Sequence, residues 1–402
     1  MNGDVRLPRI LITCCGRIPS VELGFILPFS ELQKQGFCIF KYKDELHLSP
    51  FDIAWCDSIF IVRGASSESV WAAEHAKRFG RMVLGWWDDD FLSIPTYSLS
   101  YSYYSSKIVK KNINTLFKLC DYFFSPSPRL AAKLSSILGK EVRVLPGAQW
   151  VERSEPIGKN RNTIPIVGFA GSQDHLAMLN TLVGPVIAAV ADAHADFKVH
   201  VVGPKPDFLG KLAVETIHTP YIDNYSEYLD FASKLEWDIG LAPLRDIEFT
   251  KHKYPNKLME YSYIGCAGVY SRVEPYASVI QDGVTGLLVE NQVNLWRDAI
   301  VKLLSEPQLR LRISKSAYEF VRCNYDRQSV ADRYADILVP LWKYRAEKVN
   351  GFSGINLRCS VVDKVYRRYS DYFQTLGLRR FVIAALKKPF RVLQGRLPRR
   401  KR

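Results

Sequence analysis

Short apolar runs and helix-patterned stretches alternate twice along this chain, and that alternation constrains the fold more than any other feature. Between residues 7 and 150, "RILITCC", "FCIFKYK", "SIFIVRG", "RMVLGWW", "DYFFSPS" and "EVRVLPG" read as strands, with "LPFSELQKQG", "SSESVWAAEHAKRFG" and "PRLAAKLSSILG" as helices between them. A charged, proline-containing loop follows at 151–165, "VERSEPIGKNRNTIP". The pattern then restarts: strands "IVGFAGS", "FKVHVVG", "WDIGLAPL", "AGVYS" and "TGLLVEN", helices in between, and a long helical region over roughly 293–346. Strands alternating with helices predict parallel, doubly wound sheets. Two such halves predict an α/β chain of two Rossmann-like domains facing a cleft, with ligands beyond the carboxyl ends of the strands.

The chain has 402 residues, of which 47% are hydrophobic, enough for a sizeable core in each half. Its formal charge of +14 is uneven. Residues 341–402 hold 17 Lys and Arg against Glu347, Asp363 and Asp371, so the rest of the chain is neutral. A basic nucleic-acid-binding face would show in the domains as well, so no nucleic-acid partner is expected. The end of the chain, "LRRFVIAALKKPFRVLQGRLPRRKR", mixes apolar and cationic residues at helical spacing and is read as an interfacial helix drawn to anionic lipid, with a disordered basic tail as the bland alternative. No apolar run is expected to cross a bilayer, and "PRILITCC" is too short for a secretory signal. The eight cysteines show no CxxC or zinc-ligand spacing, which points to free thiols in a reducing cytoplasm.

One short helix carries the chemistry. In "KYPNKLMEYSYIG" Pro255 suits the first turn and Gly265 the stop, while Leu258, Met259 and Tyr261 suit the core. Lys257 and Glu260 are three apart and share a face beside Asn256, and Lys253 precedes the helix start, where free backbone N–H groups favour an anion. A diphosphate at that end would meet two lysines. A carboxylate one turn further on can accept both hydroxyls of a ribose. The bland reading is a surface Lys–Glu pair, which is worth little.

The stretch from Asp238 to Asn291 resembles the C-terminal domain of GT-B-fold glycosyltransferases, most closely the retaining group known as glycosyl transferases group 1, or family 4. The likeness is carried by Asp238, Pro243, Leu244, Phe249, Lys253, Asn256, Lys257, Glu260, Tyr261, Gly265, Ser271, Pro275, Tyr276, Gly283 and Gly286. The first half is similar to bacterial members with "DDD" after a strand, here Asp88, Asp89 and Asp90. The resemblance implies an acceptor-side domain over 1–155, a nucleotide-sugar-binding domain over 156–330, a cross-over helix over 331–350 and the basic amphipathic tail over 351–402. It also implies that Glu260 is the second Glu of the family's Glu-x7-Glu pair and holds the ribose. Lys253 and Lys257 then stand at the diphosphate, and Gly171 and Ser172 let the donor approach the backbone. The chain departs from the family where the first Glu should be, because that position is His252, set either to touch the sugar or phosphates or to be an exposed loop histidine.

The expected activity is a retaining glycosyl transfer from a nucleotide-sugar to a glycan or lipid-linked acceptor, with Lys257 and Lys253 stabilising the leaving group and Asp90 orienting the acceptor hydroxyl. No metal is expected. A D-x-D pair, Asp88 and Asp90, offers a minor Mg²⁺ alternative. Trp86 and Trp87 suit either a sugar platform or, more simply, the core. Rival readings are a nucleotide-sugar 2-epimerase, for which no carboxylate and histidine set is found, and a non-catalytic GT-B binding or scaffolding protein, favoured by the missing first Glu. The family resemblance places the protein in the cytoplasm, peripheral on the inner membrane face, in surface polysaccharide or glycolipid synthesis.

Overall fold

The computed structural model describes residues 6–149, 164–193 and 196–346. The tail over 351–402 and most of the 151–165 loop lie outside the described residues. Two six-stranded sheets make up the fold. The first has order β2-β1-β3-β4-β5-β6, with β1 Arg9–Cys14, β2 Ile39–Asp44, β3 Ser58–Val62, β4 Met82–Trp86, β5 Tyr122–Ser125 and β6 Val142–Val144. The second has order β12-β11-β10-β7-β8-β9, with β7 Ile166–Ala170, β8 Lys198–Gly203, β9 Glu215–Pro220, β10 Ile239–Ala242, β11 Ala267–Ser271 and β12 Leu287–Val289. Every strand pair is parallel.

Central strands β3, β4, β10 and β11 are buried at every residue, which is why they read as unbroken apolar runs. Their register sets the site. Ser58 pairs with Met82 and Val62 with Trp86, so β3 and β4 end level. Arg63 N–H then donates to Trp86 O (2.8 Å), and Arg63 and Asp88 leave the same edge of the sheet. In the second sheet Ala170 pairs with Val202, and Gly240 lies beside Gly168, so Gly171 emerges among the central strand ends.

The helical region 293–346 is three helices, Val293–Ser305, Pro307–Tyr325 and Arg327–Ala346. The last returns to the first sheet. Val330, Ala331, Tyr334 and Leu338 join its core, and Tyr334 Oη donates to Gly24 O (2.7 Å) and Pro146 O (3.0 Å). Gln173–Ala193 is helical throughout with mean hydropathy 1.6, long and apolar enough by composition to cross a membrane, contrary to the expectation of no such run. Its Leu179, Val183, Val186, Ile187 and Val190 are fully buried against Val167, Val199 and Trp296. Its apolarity is that of a core helix.

Candidate active site

The Asn256–Ile264 helix starts at Pro255 and stops at Gly265, whose φ of 80° is the left-handed geometry a glycine supplies without strain. Gly265 N–H donates back to Tyr261 O at 2.9 Å. Leu258, Met259, Tyr261 and Ile264 bury one face, and Tyr261 Oη donates to Leu241 O of β10, locking the helix to the sheet. The other face, with Asn256, Lys257 and Glu260, opens on a cavity of about 480 Å³ between the two domains. Lys257 and Glu260 are paired, and Tyr228 Oη donates to the same Glu260 oxygen at 3.1 Å. Burial, and then the Glu260 carboxylate beside it, push the Tyr228 phenol well above its ordinary pKa, so it stays a donor.

Gly171 and Ser172 form the adjoining edge of the cavity. A Cβ on Gly171 would come 2.7 Å from the Phe169 ring, and one on Gly203 of β8 would come 2.0 Å from Gly171 O, so packing as well as ligand access demands glycine here. Three residues on, half-buried His175 faces the cavity. Burial, with Lys253 and Lys257 adding to it, pushes its pKa down to about 3. It is neutral at physiological pH and offers an N–H without a charge.

The opposite wall belongs to the first domain. Arg63 holds Asp88 in a two-pronged pair (2.6 Å each) and reaches Asp89 at 3.1 Å. Ser20 Oγ donates to Asp88, and Lys253 crosses from the second domain to Asp89 at 3.4 Å. Burial works against the Asp89 charge, but Lys253 and Arg63 overcome it and hold its carboxyl below the usual range. Arg63 is the one non-glycine residue with positive φ (54°) among the described residues. Its ion pairs and its place on the sheet hold that strained backbone.

Of the residues singled out in the sequence, the cavity gathers Lys253, Asn256, Lys257, Glu260, Gly171 and Ser172. Asp90 and His252 are elsewhere. Asp90 is fully buried, caps the turn after β4 by accepting from Leu92 N–H (3.2 Å), and receives Lys133 Nζ at 2.7 Å. It therefore does not face the acceptor side of the cleft, and its neighbours Asp88 and Asp89 do. His252 is not an exposed loop histidine. It is 8% exposed, with Nδ1 3.1 Å from Asp90 Oδ2, and it does not line the cavity. Trp86 and Trp87 are core residues, Trp86 edge-on to Phe25 and Trp87 packed on Phe91, Phe117 and Phe123.

Both acidic groupings carry cationic side chains. Asp88 is engaged by Arg63 and Asp90 by Lys133, so the D-x-D pair is split between two cations. Asp90, Glu248 and His252 bring ligand atoms within 4.8 Å of one another. The Lys133 ammonium already lies between them, donating to Asp90, to Ser93 Oγ (2.9 Å) and to Glu248 (2.9 Å). With these three bonds all of its protons are satisfied.

Sequence reasoning missed Arg63, His175 and Tyr228. Arg63 was available from the rule that residues just past the carboxyl end of a central strand face the ligand. His175 and Tyr228 had no such signal, because they reach the cavity only through the packing of their helices.

No curated protein matches the chain by sequence. The family model for glycosyl transferases group 1 matches residues 164–306. Among solved structures, Alr3699/HepE from Anabaena, in complex with UDP and glucose, is 13% identical with a TM-score of 0.58, covering 83% of this chain and 100% of its own. Sucrose-phosphate synthase from Thermosynechococcus elongatus is 14% identical (TM-score 0.57, 84% and 100% covered). The lipopolysaccharide outer core galactosyltransferase WaaB, in its apo form, is 11% identical (TM-score 0.54, 83% and 99% covered). At those identities the likeness establishes the fold. Residues 164–306 match the glycosyl transferases group 1 model, and the chain that carries them has the two-domain GT-B fold.

Proposed function

We propose that the protein is a retaining glycosyltransferase that moves a sugar from a nucleotide-sugar to a glycan or lipid-linked acceptor without a metal ion. The observation that carries this reading is the convergence of Lys253, Lys257, His175 and Glu260 on one cavity that faces Asp88 and Asp89 across the cleft. Glu260, already accepting from Tyr228, takes the two ribose hydroxyls. Lys257 turns from Glu260 to the diphosphate, joined by Lys253 and the neutral His175 N–H. As the bond from the anomeric carbon to the phosphate oxygen breaks, negative charge grows on that oxygen, and preformed donors there lower the barrier. The acceptor hydroxyl forms the new bond on the same face of the sugar and passes its proton to the departing phosphate. Asp88 and Asp89 hold the acceptor's hydroxyls.

Chemistry of this kind draws on the cations and N–H donors that line the cavity. The reading extends to surface polysaccharide or glycolipid synthesis on the cytoplasmic membrane face, with the basic 351–402 tail as the membrane contact. One observation favours a non-catalytic binding protein instead: His252, at the place of the family's first Glu, is turned onto Asp90 and leaves the sugar without that carboxylate. Incubating the protein with a panel of nucleotide-sugars and saccharide or lipid-linked acceptors, with the product's anomeric configuration read by NMR, separates the two. A product with the donor's configuration supports the transferase; an inverted product contradicts retention; donor binding without product supports the binding protein.

A further inference from the structure

A second cavity, of about 380 Å³, lies in the first domain outside the cleft. Leu92, Ile94, Tyr101 and Ile113 give it an apolar wall, with Lys110 and Asn114 beside them. Its back is the stacked pair Phe91 and Tyr104, ring centroids 4.5 Å apart and planes at 8°. Behind that pair is the cleft, with the Arg63 guanidinium 5.4 Å from the Phe91 ring.

The surface around this cavity combines two features that water alone does not favour. Leu92, Leu99 and Tyr101 are exposed at 44%, 78% and 37%, three large apolar side chains within ten residues. They sit on an anchored loop, because Ser98 Oγ donates to Asp174 of the second domain at 3.0 Å. The Lys107–Leu119 helix then begins with Lys107, Lys110 and Lys111, all exposed, and has no acid in its first turn. Cations there oppose the helix dipole, so the arrangement costs stability unless an anion is nearby. No carboxylate pairs with these lysines among the described residues.

We propose that this face docks on an anionic lipid surface. The lysines meet headgroup phosphates, Leu92, Leu99 and Tyr101 enter the acyl boundary, and the cavity takes part of one lipid chain. Apolar tips beside a cationic helix end match a surface with phosphate outside and hydrocarbon beneath. A soluble phosphorylated ligand would leave the exposed leucines unexplained. Docking here would hold the acceptor side of the cleft one aromatic layer from the bilayer. The inference does not depend on sugar transfer, and its test needs no turnover.

The test uses the full chain at 0.15 M salt with vesicles of phosphatidylcholine alone or with phosphatidylglycerol, read by co-sedimentation and hydrogen exchange. The expected result is binding only to the anionic vesicles, with slowed exchange across residues 92–111. Leu99→Ser/Tyr101→Ser and Lys110→Glu/Lys111→Glu, all at exposed positions, should each weaken binding about tenfold. No vesicle binding, unchanged affinity in both variants, or slowed exchange confined to residues outside 92–111 such as the basic tail would overturn the proposal. Slowed exchange at 107–111 with glycerol phosphate, and none with vesicles, would assign the site to a free phosphorylated ligand and overturn it equally.

Discussion

The two walls of the cleft are built by different means. The second-domain wall is local: Lys253, Asn256, Lys257 and Glu260 fall within eight residues, on one short helix and the turn before it. The first-domain wall is assembled from afar. Ser20, Arg63 and the adjacent Asp88 and Asp89 come from three separate stretches of chain, and Arg63 meets the two carboxylates because β3 and β4 end level. A ligand site on one helix is fixed once that helix docks. A site made from strand ends depends on register and on the ion pairs that hold it. The first is expected to fail chemically when altered, and the second structurally.

The largest expected effect lies on the helix wall. Lys257→Ala should lower kcat/KM for transfer by about 10²–10³, the usual cost of removing one donor to a developing charge, without lowering the melting temperature. A loss of stability equal to that of a first-domain variant would erase the contrast between the walls. Arg63→Ala should unfold more easily by about 3 kcal/mol, because it leaves Asp88 without its cation and Asp89 with Lys253 alone. Arg63→Gly should recover about 1 kcal/mol of that, since glycine accepts the left-handed backbone. Chemical denaturation of both variants decides this, and equal stability would refute the account of strain at residue 63.

Asp90→Asn should cost about 2 kcal/mol of stability by weakening the bond to Lys133 while kcat stays near wild type. Asp88→Asn should lower kcat. The reverse pattern would return Asp90 to the acceptor site. The His175 prediction concerns pH. In the unfolded chain this histidine takes up a proton near its ordinary pKa of 6.5, whereas in the fold it stays neutral down to about 3. Stability therefore falls as pH drops below 6.5, by about 1 kcal/mol per unit, and the dependence ends below the folded value. His175→Gln should flatten denaturation midpoints between pH 6.5 and 5; an unchanged slope would mean that His175 titrates normally. The smallest effect is at Glu248, whose side chain is 59% exposed. Glu248→Ala should leave the melting temperature unchanged within error, as exposed ion pairs usually do.

The same contrast explains what the sequence made legible. Residues whose partners are three or four positions away were readable: Gly265 as the stop, Leu258 and Tyr261 inward, Lys257 and Glu260 outward. Eleven strands stood out as apolar runs. β9, "ETIHTP", did not, because it is an edge strand with no buried residue and, unlike the equally exposed edge strand β2, has Ile217 as its one large apolar side chain. The "DDD" triplet announced carboxylates but not which one faces the cleft, since that is decided by the turn Asp90 caps. His252 looked exposed because its neighbours are lysines, yet Asp90, 162 residues away in sequence, lies against it. Gln173–Ala193 reads as a helix but not as a run of membrane length; it is apolar enough for one, yet it is a core helix, as its contacts with two strands and Trp296 show.

The most direct test of the central claim is nucleotide binding followed by calorimetry. UDP, GDP, dTDP, ADP and CMP would be titrated without and with Mg²⁺ into the wild type and into Glu260→Ala. The account predicts that one nucleoside diphosphate binds without metal and that Glu260→Ala weakens it at least about tenfold, the loss of a charge-assisted hydrogen bond. Binding by none of them, or equal binding by Glu260→Ala, would contradict a donor site on the Asn256–Ile264 helix.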